Sequence, residues 1–116
     1  MAGALALNTY KSVVGLAVTT GITTAYTVPN GVSAIHLFSA VTNISSGIAT
    51  VTVYHSRTIS GISSRYELIR NAKIPTTDVL TPINGSLVLE VGDKIEVQGA
   101  ADNTMRFTLS ILESAK

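Results

Sequence analysis

Leu87-Val88-Leu89-Glu90-Val91-Gly92-Asp93-Lys94-Ile95-Glu96-Val97-Gln98 is the stretch whose reading decides the fold. Two short runs alternate apolar and polar residues on either side of Gly92-Asp93. Leu87, Leu89, Val91, Ile95 and Val97 would share one face, and Glu90, Lys94, Glu96 and Gln98 the other. That period of two with a Gly-containing break predicts a β-hairpin with one dry and one wet face. The same grammar recurs along the chain, so the expected architecture is all-β: an antiparallel β-sandwich or jelly roll of about eight strands.

Working outward, a strand is expected from Ser12 to Thr20, carrying Val13, Val14, Leu16 and Val18 and broken by Gly21. A second, Thr23 to Val28, ends at Pro29-Asn30-Gly31, where proline stops pairing and Asn-Gly suits a tight reversal. Ser33 to Asn43 reads as a long strand with Ile35, Leu37 and Val41 on one face and His36, Phe38 and Ala40 on the other. Beyond the turn Ser45-Ser46-Gly47, Ile48 to Ser56 is rich in β-branched residues, which favour a strand over a helix. Arg57 to Ser64 reads as a polar loop, and residues 65–71 as a short strand with Tyr66 and Leu68 on one face. After Ile74-Pro75-Thr76-Thr77, a short strand from Asp78 to Ile83 contains Pro82 and belongs at an edge, because proline cannot donate to a ladder. Following Ala100 to Asn103, a last strand would turn Met105, Phe107, Leu109 and Ile111 inward. No window keeps apolar residues at helical spacing.

With 116 residues the chain is expected to form one domain, and about two thirds of the unfolded surface is buried at that size. Residues 1–11 are small and weakly patterned, so they are expected to form a flexible arm, with residues 12–116 as a single β-sandwich domain. Ala4, Leu5, Ala6 and Leu7 would be an awkward exposed apolar run unless another surface covers them. Charged residues make up only 13% and the net charge is +1, against a usual charged share of about 25%. A sparsely charged exterior favours association, and basic residues scattered from Lys11 to Lys116 give no electrostatic footprint for nucleic acid. There is no cysteine, hence no disulfide, thiolate metal site or thiol nucleophile. The N-terminus lacks the positive region of a secretory signal, and no apolar stretch approaches the roughly 20 residues of a membrane-spanning helix. A soluble protein is expected.

Candidate chemistry is thin. His36 and His55 fall on different strands with no local carboxylate cluster, so a metal site would need distant ligands to converge; His36 reads as an interface or core-rim residue. Hydroxyls abound, but there is no Gly-x-Ser-x-Gly elbow. Glu90, Asp93 and Glu96 could form an acidic trio, but the pattern puts Glu90 and Glu96 on a solvated hairpin face and Asp93 in its turn. Asn43-Ile44-Ser45 and Asn84-Gly85-Ser86 match the glycosylation sequon and read more simply as turns. Arg57, Arg65 and Arg70 lack the interleaved aromatics of a nucleic-acid surface. No catalytic, cofactor-binding or metal-binding residue is expected.

Tyr26-Thr27-Val28-Pro29-Asn30-Gly31, the turn and strand from Asn43 to Val53, Ile74-Pro75 and the Leu87 to Gln98 segment together resemble small virion structural proteins of tailed bacteriophages. Such proteins are similar in having an extended arm, a "TVP-x-G" lead-in to a long strand, an "IP" before a short edge strand and an "LVLE-x-GD-x-I-x-V" segment ahead of the last strand. The resemblance covers about residues 12–113 and rests on turn grammar. It implies a non-enzymatic component of the capsid surface (decoration or cement), neck, collar or tail. The implied location is the virion, assembled in the host cytoplasm, with a homo-oligomeric state and other virion proteins as partners. It implies no cofactor, nucleic acid or membrane. Residues expected at assembly contacts are Ala4, Leu5, Ala6, Leu7, Tyr10 and Pro82. The alternative from a different class is a carbohydrate- or host-surface-binding β-sandwich module, for which a chain with no Trp and four Tyr is poorly equipped.

Overall fold

A computed structural model describes residues 8–115. All its regular structure is β: β1 (Asn8–Ala17), β2 (Thr23–Thr27), β3 (Val32–Asn43), β4 (Ala49–Ile59), β5 (Ile62–Ile74), β6 (Val79–Leu80), β7 (Leu87–Leu89), β8 (Lys94–Gly99) and β9 (Met105–Ala115). Every pairing is antiparallel. One sheet runs β1-β9-β3-β6, with β7 also pairing β3; the other runs β2-β8-β4-β5. Apart from the β4–β5 hairpin and the step from β6 to β7, each connection carries the chain from one sheet to the other, the wrapping of a jelly roll. Strands β6 and β7 share one edge position, pairing different ends of β3.

The core between the sheets is built from the alternating inward positions of both. Phe107, Leu109 and Met105 of β9 and Ile95 and Val97 of β8 are fully buried with Leu89, Val51 and Val53. The inward set expected for the last strand is therefore observed, as is its packing against Leu89, Ile95 and Val97.

Several expected local elements are different. The Leu87 to Gln98 segment is not a hairpin: β7 pairs β3 in one sheet while β8 pairs β2 and β4 in the other. Gly92-Asp93 is a corner between sheets, and Gly92 takes a φ of 84° to make it. Leu89, Ile95 and Val97 are buried as expected because both strands face the same core from opposite layers, but Val91, beside the corner, is 39% exposed. Arg57 to Ser64 is not a loop. It is the end of a long β4–β5 hairpin in which Ile59 pairs Ile62 around Ser60 and Gly61. Both turn residues have positive φ, 52° and 79°, the geometry of a two-residue turn whose twist matches its strands.

Strand β3 also departs from simple alternation. Its register with β9 shifts between His36 and Phe38, so Leu37 is an inserted bulge residue. Ala34 and His36 point inward before it; Ser39, Val41 and Asn43 do so after it, while Leu37 and Phe38 stand 46% and 49% exposed. Finally, β1 begins at Asn8 and pairs β9 from there, so residues 8–11 belong to a strand and not to the arm in which they were expected.

Candidate functional site

The densest polar arrangement lies where the β7–β8 corner meets β4. Asp93 is 1% exposed, held at the corner by amide bonds that tie Val28 N to Asp93 O at 2.9 Å and Gly92 N to Val28 O at 3.0 Å. Its carboxylate accepts from Arg57 Nη2 at 2.7 Å and Arg57 Nε at 3.0 Å, from His55 Nε2 at 2.8 Å and from the Glu90 amide at 3.0 Å. Burial works to raise the pKa of this carboxyl, but the Arg57, Glu90 amide and His55 hydrogen bonds and the Arg57 charge outweigh it and hold it down to about 2. Arg57 also reaches Glu90 at 3.5 Å. The sequence placed Asp93 in a turn bonding local amides, which it does, but gave no sign of Arg57 and His55 because both were assigned outside the corner.

A second ion pair lies on the outer face of the β2-β8-β4-β5 sheet. Arg65 Nε donates to Glu96 Oε1 at 2.8 Å and its guanidinium lies 5.6 Å from the centre of the Tyr54 ring. Glu96 is only 4% exposed, so the expectation of a freely solvated Glu96 is corrected: the neighbouring strands cover it. Between the sheets, Tyr26 donates its hydroxyl to Glu113 Oε2. Burial, that bond and the nearby negative charge all raise the tyrosine's pKa.

His36 is 1% exposed in the core, not at a rim. Its Nδ1 donates to Gly85 O at 3.0 Å, while buried Nε2, like Ser39 Oγ, has no partner among the described residues. Asn43, also 1% exposed, clamps two turns: its amide donates to the carbonyls of Gly47, Ile74 and Pro75, and its oxygen accepts from Ser45. The turn reading of Asn43-Ile44-Ser45 is thus the observed one.

Among the described residues no three His, Cys, Asp or Glu stand together as metal ligands, and the Asp93 oxygens are engaged by partners of the chain itself. The described residues include a cleft of about 240 Å³ beside His55, Arg57, Tyr66 and Leu68 and another of about 200 Å³ along Thr50, Thr52, Asn71 and Gln98. Of the residues expected at assembly contacts, Tyr10 is 76% exposed on the edge strand β1. Pro82 lies beyond β6, which ends at Leu80, and is buried within the chain. Ala4, Leu5, Ala6 and Leu7 lie outside the described residues.

No protein-family model matches the sequence, and no curated protein sequence matches it. Among solved structures, the fold is similar to a chain from Bacillus endospore appendages, which are described as forming a novel family of disulfide-linked pili. The two share 12% identity, with a TM-score of 0.52, over 99% of this chain and 94% of that one. The likeness is one of fold. This chain has no cysteine with which to form a disulfide.

Proposed function

We propose that this chain is a non-enzymatic structural subunit that acts by assembling with copies of itself and with other proteins. One observation carries the reading: large apolar side chains lie exposed over the surface, Tyr10, Val14, Ile48, Ile59 and Ile62 each more than half, while the buried polar groups serve the fold itself. Such side chains at strand edges and turn tips gain stability when a neighbour covers them. The similarity in fold to a chain from pilus-forming appendages supports the same coarse role. The finer reading is a virion component of a tailed bacteriophage, at the capsid surface, neck, collar or tail, supported by the resemblance of the segments from Tyr26, Asn43, Ile74 and Leu87. The N-terminal Ala4, Leu5, Ala6 and Leu7 and exposed Tyr10 remain contact residues in this reading.

Sedimentation of the purified chain followed by electron microscopy tests the coarse reading; concentration-dependent oligomers or polymers are expected. Immunogold labelling of intact phage particles tests the finer one. A monomer at all concentrations that instead binds glycans would support the second reading, a surface-binding module. The observation in its favour is Tyr66, 63% exposed at the mouth of the His55–Arg57 cleft.

A further inference from the structure

The two outer faces of the sandwich differ in kind. In the β2-β8-β4-β5 sheet, the register places Lys94, Glu96, Arg65, Glu67 and Lys73 on outward positions, interleaved with Tyr54 and hydroxyl side chains. Among the described residues of the β1-β9-β3 sheet the outward positions are apolar or hydroxyl apart from Asn8, and Arg106, at the start of β9, is their one charge. Partners across the ladders point to the same side, so Tyr10, Leu112, Ile35 and Val88 form one row across β1, β9, β3 and β7. Phe38 lies in the next row, opposite Ser110. Tyr10 and Val88 at the ends of the first row are 76% and 61% exposed, and Phe38 is 49% exposed.

We infer that this face is a docking surface for the same face of a second copy, the two five-stranded sheets stacking about a twofold axis. The inference rests on the assembling role proposed above and names the surface that carries it. Charge decides the occupant. A sheet face that lacks ionised side chains is matched by one that also lacks them, since any charge stacked on it would be desolvated without a partner. Placing the other outer face of a neighbour here would strand the Arg65–Glu96 pair, Glu67 and Lys73 against Phe38 and Leu112. The same face of a second copy brings only Arg106, at the start of β9 and away from the Tyr10–Leu112–Ile35–Val88 row, and a twofold contact needs only self-complementarity. Tyr10, Val14, Phe38 and Val88 leave large apolar side chains exposed across it, and a stable interface takes roughly 800 Å² from each partner. Sheets so stacked would lie about 10 Å apart.

Sedimentation equilibrium of the full chain tests this, comparing the wild type with a Tyr10→Glu/Val88→Glu double variant and with Lys73→Glu on the opposite face. All three changes are at exposed positions, and circular dichroism verifies that each variant folds. The wild type is expected to self-associate, with the double variant raising the dissociation constant at least tenfold and Lys73→Glu leaving it within about twofold. Because the chain has no cysteine, a spin label at Ser12→Cys, on the proposed face, is expected to lose mobility with association, while one at Ser63→Cys stays mobile. Oligomers that persist unchanged in the double variant would overturn this face and leave the assembly reading standing. A wild type that is monomeric to about 1 mM would overturn both. Binding of the face to neutral phosphatidylcholine vesicles without self-association would overturn the second copy as its occupant.

Discussion

Tyr26 of β2 and Glu113 of β9 are bonded across the sandwich, the phenol of one sheet donating to a carboxylate that is 7% exposed in the other. Two residues from opposite ends of the sequence thus join the layers near the sandwich end where β2 runs into the Pro29-Asn30-Gly31 turn. Tyr26→Phe is expected to cost about 1–3 kcal/mol, because it leaves a buried carboxylate without its donor. Since the folded pKa of Tyr26 is raised, its contribution is present below the unfolded value near 10 and is lost as pH rises beyond it. Urea titrations at pH 8 and pH 11 should show a drop in wild-type stability that is smaller in Tyr26→Phe.

Asp93 gives the opposite dependence. Its folded pKa of about 2 lies below the ordinary value of 3.8 for an aspartate, so its stabilisation is present above pH 4 and is lost as pH falls toward 2, on the order of 2 kcal/mol in all. Asp93→Asn should lower the melting temperature at pH 7 and flatten the acid limb of the stability curve. An acid limb as steep as that of the wild type would mean that other carboxylates govern acid unfolding.

His36 is buried with its pKa lowered by desolvation, which its hydrogen bond to Gly85 only partly offsets. A depressed imidazole binds its proton less readily in the folded than in the unfolded state. Stability is therefore full above pH 6.5 and declines as pH falls below it. Denaturant midpoints measured at pH 7.5 and pH 5 should differ for the wild type and converge for His36→Gln.

Asn43 holds the β3–β4 turn and the end of β5 through three donated bonds. Asn43→Ala is expected to cost about 2–4 kcal/mol, since it leaves buried carbonyls unpaired, and Asn43→Asp should fare no better because it removes the donors. Calorimetry of both variants reads this directly.

Phe107 is fully buried near the start of β9. Phe107→Ala should destabilise the fold by about 3–5 kcal/mol through lost transfer energy and the cavity left behind, measured by chemical denaturation.

The sequence by itself determined that the chain is all-β and which residues of β8 and β9 form the core, because strand periodicity is local and Ile95, Val97, Phe107 and Leu109 alternate without interruption. It also marked Asn43 as a turn residue and Asp93 as a turn residue bonding nearby amides. Only the tertiary structure decided that Leu89 and Ile95 belong to different sheets, since an alternating run broken by Gly92 reads the same whether the chain turns back or crosses over. The bulge at Leu37 was equally hidden: one inserted residue reverses the face of everything after it, and only the ladder to β9 shows where it falls. The partners of Asp93 and Glu96 come from β4 and β5, about thirty residues or more away, so no local pattern could pair them. The contrast between the two outer faces has the same origin, because a face is made of rows that run across strands, and rows exist only once the strand order is set.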